Sequence, residues 1–140
     1  MALNYPEQGR NYVLDVAVND GNKIANWYIL LFENDYTPQE SDTAQNIVSR
    51  AGEIATYAEG TRPAFTVSTP TGGGVNNQGN IAQVTLNAAK TVRGFAIVSS
   101  AGKGTSTGTL LAVQRLDSAR AYNSGDVVKI PATLLLANVA

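Results

Sequence analysis

The sequence predicts an all-β domain, a jelly-roll-like sandwich of two sheets with one short helix near residues 38–50. Three observations predict it. Apolar segments of strand length recur along the chain, some with alternating faces, as where Ala82, Val84 and Leu86 alternate with Gln83 and Thr85. Clusters of Gly, Asn, Ser and Thr separate these segments, and such residues tolerate the backbone angles of turns. The helical signal is confined to one place, where Thr37 and Glu40 are spaced as a capping box and Pro38 occupies the first helical position. An immunoglobulin-like sandwich is the alternative, because it has the same spacing of short strands.

The 140 residues fit one domain. Residues 1–11 read as an extended, polar N-terminal arm and 12–140 as a single β-sandwich domain. Residues 12–18 read as a half-buried strand, with Leu14, Val16 and Val18 on one face and Asp15 on the other. Asn19-Asp20-Gly21-Asn22 then turns the chain into a second strand over 24–32. The run Trp27-Tyr28-Ile29-Leu30-Leu31-Phe32 is apolar on both faces, which suits a strand covered on two sides. The helix after Thr37 runs toward Arg50, and Gly52 ends it. No other substantial helix is expected. Further strands are expected at 53–58, 64–69, 81–87, 92–99, 109–116, 126–130 and 133–139. The Gly-rich stretches 69–80 and 99–108 are expected to be exposed, mobile loops.

Composition excludes several chemistries. The chain has no His and no Cys, so the usual proton shuttle, thiolate nucleophile and zinc ligands are missing. Charged residues make up 15% of it, against roughly 25% in ordinary soluble domains. The formal net charge is −1, with no basic stripe of the kind that binds phosphate backbones, so no nucleic-acid partner is expected. No apolar run approaches the ~20 residues that span a bilayer, so no membrane partner is expected. The N-terminus lacks the basic start and apolar run of a secretory signal. A weakly charged surface rich in uncharged polar groups fits a chain that partners cover.

Two motifs invite a catalytic reading and fail it. Gly102-Lys103-Gly104-Thr105 hints at a phosphate loop, yet Lys103 precedes a glycine, Ile97 stands where the first glycine belongs, and a strand follows. Glu33, Asp35, Glu40 and Asp42 cluster as a carboxylate pair or a calcium loop would. Glu40 is explained by the capping box, and Asp42 can cap a further helical turn. No enzyme activity, no catalytic residue, no cofactor and no metal are therefore expected. The aromatic run from Trp27 to Tyr36 reads as core rather than as a stacking platform.

A more specific pattern lies in Tyr28-Ile29-Leu30-Leu31-Phe32-Glu33-Asn34-Asp35-Tyr36-Thr37-Pro38, followed by Asp42-Thr43-Ala44. Further segments of the same kind are Asn87-Ala88-Ala89-Lys90-Thr91-Val92-Arg93-Gly94-Phe95-Ala96-Ile97, Leu111-Ala112-Val113-Gln114-Arg115-Leu116 and Ser124-Gly125-Asp126-Val127-Val128-Lys129-Ile130. Over about residues 25–131 the chain resembles a family of small bacteriophage virion structural proteins. In size and character it is most similar to the capsid cement (decoration) proteins of podophages. The resemblance implies a jelly roll without enzymatic activity that sits as a homodimer on the outside of an icosahedral head. It also implies assembly in the host cytoplasm. There it would bridge subunits of the major capsid protein and stabilise the shell. A tail or fibre β-sandwich binding module is the alternative. A carbohydrate-reading version of it would want aromatics near the Gly-rich loops, and 69–80 and 99–108 have none. The resemblance does not reach the arm, where Leu3, Tyr5 and Tyr12 are apolar or aromatic amid polar neighbours and are the candidate partner-interface residues.

Overall fold

The computed structural model describes residues 3–136. Its strands are β1 (Leu3–Asn4), β2 (Tyr28–Phe32), β3 (Gly74–Asn76), β4 (Ala82–Thr85), β5 (Lys90–Val98), β6 (Leu110–Tyr122), β7 (Val127–Ile130) and β8 (Thr133–Leu135). The helices are α1 (Glu7–Val18) and α2 (Ala44–Ile47), the latter running on into a π-helical turn over Val48–Gly52. Every strand pair is antiparallel. The fold is an all-β sandwich, as the sequence predicts. Its strands divide into a four-stranded sheet of order β1-β6-β5-β2 and two ribbons, β3-β8 and β4-β7.

Side-chain alternation on the central sheet explains the layering. Ile29 and Leu31 of β2 share a face with Phe95 and Ile97 of β5, and this face packs on Val84 of β4 and Val128 of β7. Leu30 and Phe32 share the opposite face with Ala96 and Val98, and this face packs on Ala44, Ile47 and Ala51 of the helical segment. The central sheet is thus covered on both faces, by the β4-β7 ribbon and by helix. That is the environment read from the apolar run at 27–32. In hydrogen bonding, however, β2 is an edge strand. Its outer side is closed by single bridges from Tyr28 to Ala64 and from Phe32 to Glu53, which shields the edge from stray pairing.

The stretches expected as strands at 53–58 and 64–69 contribute only such bridges. Their backbone groups tie to the sheet one at a time, as Ile54 N–H does to Leu31 O at 2.8 Å and Phe65 N–H to Trp27 O at 2.8 Å. The expected loop at 69–80 contains β3, and the buried Asn77 side chain holds the next turn. It donates to Ile130 O at 2.9 Å and accepts from Ala132 N–H at 2.8 Å. The expected strand at 133–139 is present as β8, and its last residues lie outside the described ones.

The N-terminal segment differs most from expectation. It is extended only at β1, and the strand expected at 12–18 is the C-terminal part of α1. Gly9, Tyr12, Val13 and Val16 face inward at helical spacing, whereas Leu14 and Val18 of the expected strand face are exposed. Gly9 sets the approach: a Cβ there would lie 2.0 Å from Leu111 O, so the helix backbone rests directly on β6. The Gln8 side chain locks the contact by accepting from Leu110 N–H at 2.8 Å and Ala44 N–H at 2.9 Å. The turn cluster at 19–22 closes this helix instead of a hairpin. Asn19 and Gly21 both donate to Asp15 O.

The second helix begins later than the expected 38–50. Its capping box is Thr43 and Asn46, in which Asn46 N–H donates to Thr43 Oγ1 at 3.2 Å and Thr43 N–H to Asn46 Oδ1 at 2.8 Å. Asp42, read as a cap, is buried instead. It accepts from Gln39 N–H at 2.9 Å, from Arg50 at 3.0 Å and from the Tyr36 hydroxyl, so residues 36–42 form a closed turn in place of a helix start. Gly52 ends the helix as read, at φ 72°.

Candidate functional surface

Several charged side chains are committed to structure. Arg62 is almost fully buried, lying between Thr61 and Pro63. It forms a two-pronged pair with Glu53, Nε to Oε2 at 2.8 Å and Nη2 to Oε1 at 2.7 Å. It also donates to Ser100 O at 2.9 Å and Thr105 O at 3.0 Å, while Gly104 N–H reaches Glu53 Oε1 at 2.9 Å. Lys103 donates to Tyr57 O at 3.0 Å and Glu59 O at 2.7 Å, with its ammonium 4.3 Å from the Tyr57 ring centre. Burial, then the Glu53 charge, push the Tyr57 hydroxyl well up from its ordinary pKa. The stretch 99–108 is therefore pinned at Lys103 and Thr105, although its tip is exposed, and Lys103 is spent on its own fold.

The acidic cluster is likewise dispersed. Glu33 pairs with Lys90 at 3.0 Å, Asp35 with Arg115, Glu40 with Arg10, and Asp42 with Arg50 at 3.0 Å. These partners come from four different parts of the chain, so each carboxylate joins two segments rather than facing another carboxylate. The Tyr36 hydroxyl is pushed up to about 12 by desolvation and by its bond to Asp42. Among the described residues no three acidic side chains converge as a metal site would require, and no helix is long and apolar enough to cross a membrane.

The candidate interface residues are half-buried around α1. Leu3, Tyr5 and Tyr12 all pack against the core. The Tyr12 hydroxyl accepts from Ile24 N–H at 2.9 Å, and its ring meets Trp27 edge-on at 5.2 Å. The Tyr5 hydroxyl donates to Leu135 O and accepts from Leu135 N–H, both at 3.1 Å. Burial raises its pKa, and the Leu135 bond partly offsets this. Leu3 and Tyr5 therefore share one depression of about 440 Å³ with Thr133 and Leu135. Tyr12 lines a separate one of about 530 Å³ along the outer side of α1.

Sequence reasoning missed the β8 edge beside them. Leu135 and Leu136 are 52% and 65% exposed. An adjoining groove of about 210 Å³ is almost wholly apolar, with walls from Tyr5, Val13, Val75, Leu134 and Leu136. Leu136 and the half-buried Leu134 wall this groove, while Leu135, on the opposite face of the strand, lines the depression it shares with Leu3 and Tyr5. Apolar side chains therefore stand exposed on both sides of the β8 edge, as on surfaces that partners cover. The signal lies in the apolar run at 134–136, which fits a buried strand as well as an exposed edge. This face has surface and shape but no reactive group.

A family model described as "Podophage GP4 fiber I protein gp80" matches residues 10–137. No curated protein matches the chain.

Proposed function

Since the chain belongs to this podophage fiber I protein family and is thus a structural protein of a phage virion, we propose that it is a fibre module of the particle. It is a non-enzymatic block that joins neighbouring virion proteins by surface area. The family match across nearly the whole described chain carries this reading. The commitment of the ion pairs to the fold and the apolar β8 face support it. On this reading Leu135 and Leu136 are the anchors, with Leu3 and Tyr5 supporting them from beneath. Many weak copies of such a contact, repeated over symmetry-related sites, give firm attachment by avidity.

A second reading is a capsid cement protein that bridges major capsid subunits as a homodimer on the outer head surface. The size and character of the chain over about residues 25–131, which resemble those of capsid cement proteins, favour it. Immunogold electron microscopy of intact particles, with antibody raised to the purified chain, separates the two. Gold confined to projecting fibres is the expected result. Even labelling of the whole head would replace the fibre reading by the cement reading. Unlabelled particles whose denatured proteins also lack the chain on a blot would overturn both.

A further inference from the structure

Two features at opposite ends of β6 are complementary. α1 lies over the first residues of that strand, where Gly9 meets Leu111. On its outer side Leu14 and Val18 stand one turn apart, 58% and 79% exposed. Asp15 lies between them, and no basic side chain lines that depression. Farther along, β6 bulges away from β5. Val92 pairs with Arg120, but the next register pair is Gly94 with Arg115, so residues 116–119 loop out. The bulge leaves a notch of about 100 Å³ between β5, β6 and β7. Val92, Phe95, Val128 and Ile130 contribute to its apolar floor, and Arg120 and Lys129 stand exposed at its rim. No carboxylate lines the notch. Neither cation takes part in an ion pair among the described residues.

We propose that the Leu14–Val18 ridge of one copy seats in the Arg120–Lys129 notch of a second copy, joining copies head to tail. Charge complementarity selects this occupant. The ridge offers apolar tips flanked by an acid, and the notch offers an apolar hole flanked by two cations, so both halves of the contact are on the same chain. One copy cannot close the contact on itself. The six residue steps along β6 from Leu110 beneath α1 to Leu116 at the notch span roughly 20 Å at the usual strand rise. The notch is large enough for a single aliphatic tip, which makes each joint weak and reversible alone. A contact between two different patches leaves one ridge and one notch free at the ends of every open assembly. It therefore propagates until a ring closes or a filament forms. Nothing in this joint depends on where in the particle the protein sits.

The absence of cysteine makes the test clean. Chains carrying Val18→Cys and chains carrying Lys129→Cys are mixed at high concentration under mild oxidation. The mixed disulfide should form roughly tenfold faster than disulfides in either chain alone, because the joint raises the local thiol concentration. Mixing Val18→Cys with Ser124→Cys, in an exposed turn, gives the background rate. A mixed rate equal to that background overturns the proposal, as does faster crosslinking of Val18→Cys with itself. Sedimentation velocity gives a second readout. The pair Arg120→Glu and Lys129→Glu should abolish concentration-dependent association, and mixing it with Asp15→Lys chains should restore mixed complexes. Association of the Arg120→Glu/Lys129→Glu chain at wild-type strength overturns the proposal. Circular dichroism melts confirm that these exposed substitutions leave the fold intact.

Discussion

At the scale of single residues, close approach and buried charge decide the outcome of substitution. In an ordinary exposed helix Gly→Ala gains about 1 kcal/mol from backbone entropy. At Gly9 the added methyl would meet Leu111 O at 2.0 Å, and overpacking of this kind costs about 1–3 kcal/mol. Gly9→Ala should therefore destabilise, with a lower thermal midpoint, and a raised midpoint would show that α1 lifts freely from β6. Arg62 and Glu53 present the larger stake. Removing one member of a buried ion pair costs about 3–5 kcal/mol, so chemical denaturation of Arg62→Met should show a loss of that size. Replacing both members by Leu should recover much of it. Titration offers a third check. The Thr85 N–H bond holds the Glu59 carboxyl below its ordinary 4.5. Its contribution is thus complete above that value and disappears as pH falls through the lowered one. Glu59→Gln should flatten the acid limb of the stability curve. Tyr36 has the opposite sign: its folded pKa of about 12 lies above 10.0, so its contribution is complete below 10.0 and fades as pH rises toward about 12.

At the scale of elements, the central strands were legible and the N-terminal helix was not. β2, β5 and β6 carry long apolar runs whose burial on two faces follows directly from their composition. In α1 two periodicities compete. Leu14, Val16 and Val18 alternate as in a strand, while Gly9, Tyr12, Val13 and Val16 repeat as in a helix. The helix prevails because β6 offers a backbone surface to Gly9, and one amide each from β6 and α2 donates to Gln8, which sequence spacing does not reveal. Gln8→Ala leaves the amides of Ala44 and Leu110 without that acceptor. It should cost about 1–3 kcal/mol and raise hydrogen exchange across α1 before the central sheet opens. No exchange difference in α1 would show that the helix is held by its apolar face alone. The capping box moved for a similar reason. Thr37 and Thr43 each lie three residues before a polar partner, Glu40 and Asn46, and only burial of Asp42 between them selects the second.

At the scale of the whole molecule, the proposed function draws on surface. The missing His and Cys and the low charge point to a building block, the motif run from Tyr28 to Ala44 resembles phage virion structural proteins, and the family match agrees with the virion reading. The sequence also marks Tyr5, which forms part of the apolar β8 groove, but not Leu135 and Leu136, because a run of three leucines does not reveal which of them the fold leaves exposed. Leu135→Asp with Leu136→Asp should leave the fold intact while lowering the copies incorporated per particle at least severalfold, given the weight of central apolar anchors. Quantitative gel analysis of purified virions checks this, and unchanged copy number would move the attachment surface elsewhere.

The Arg62 cluster has a mechanical consequence. Its guanidinium grips Glu53, Ser100 and Thr105 at once, and the Lys103 ammonium fixes the same loop to Tyr57 and Glu59. A flap tethered at one point peels away bond by bond under tension. One riveted at several points must shear them together. The glycine-rich stretch, soft by composition, is thereby turned into a strut, and a strain on it passes into the sandwich rather than being absorbed at the rim.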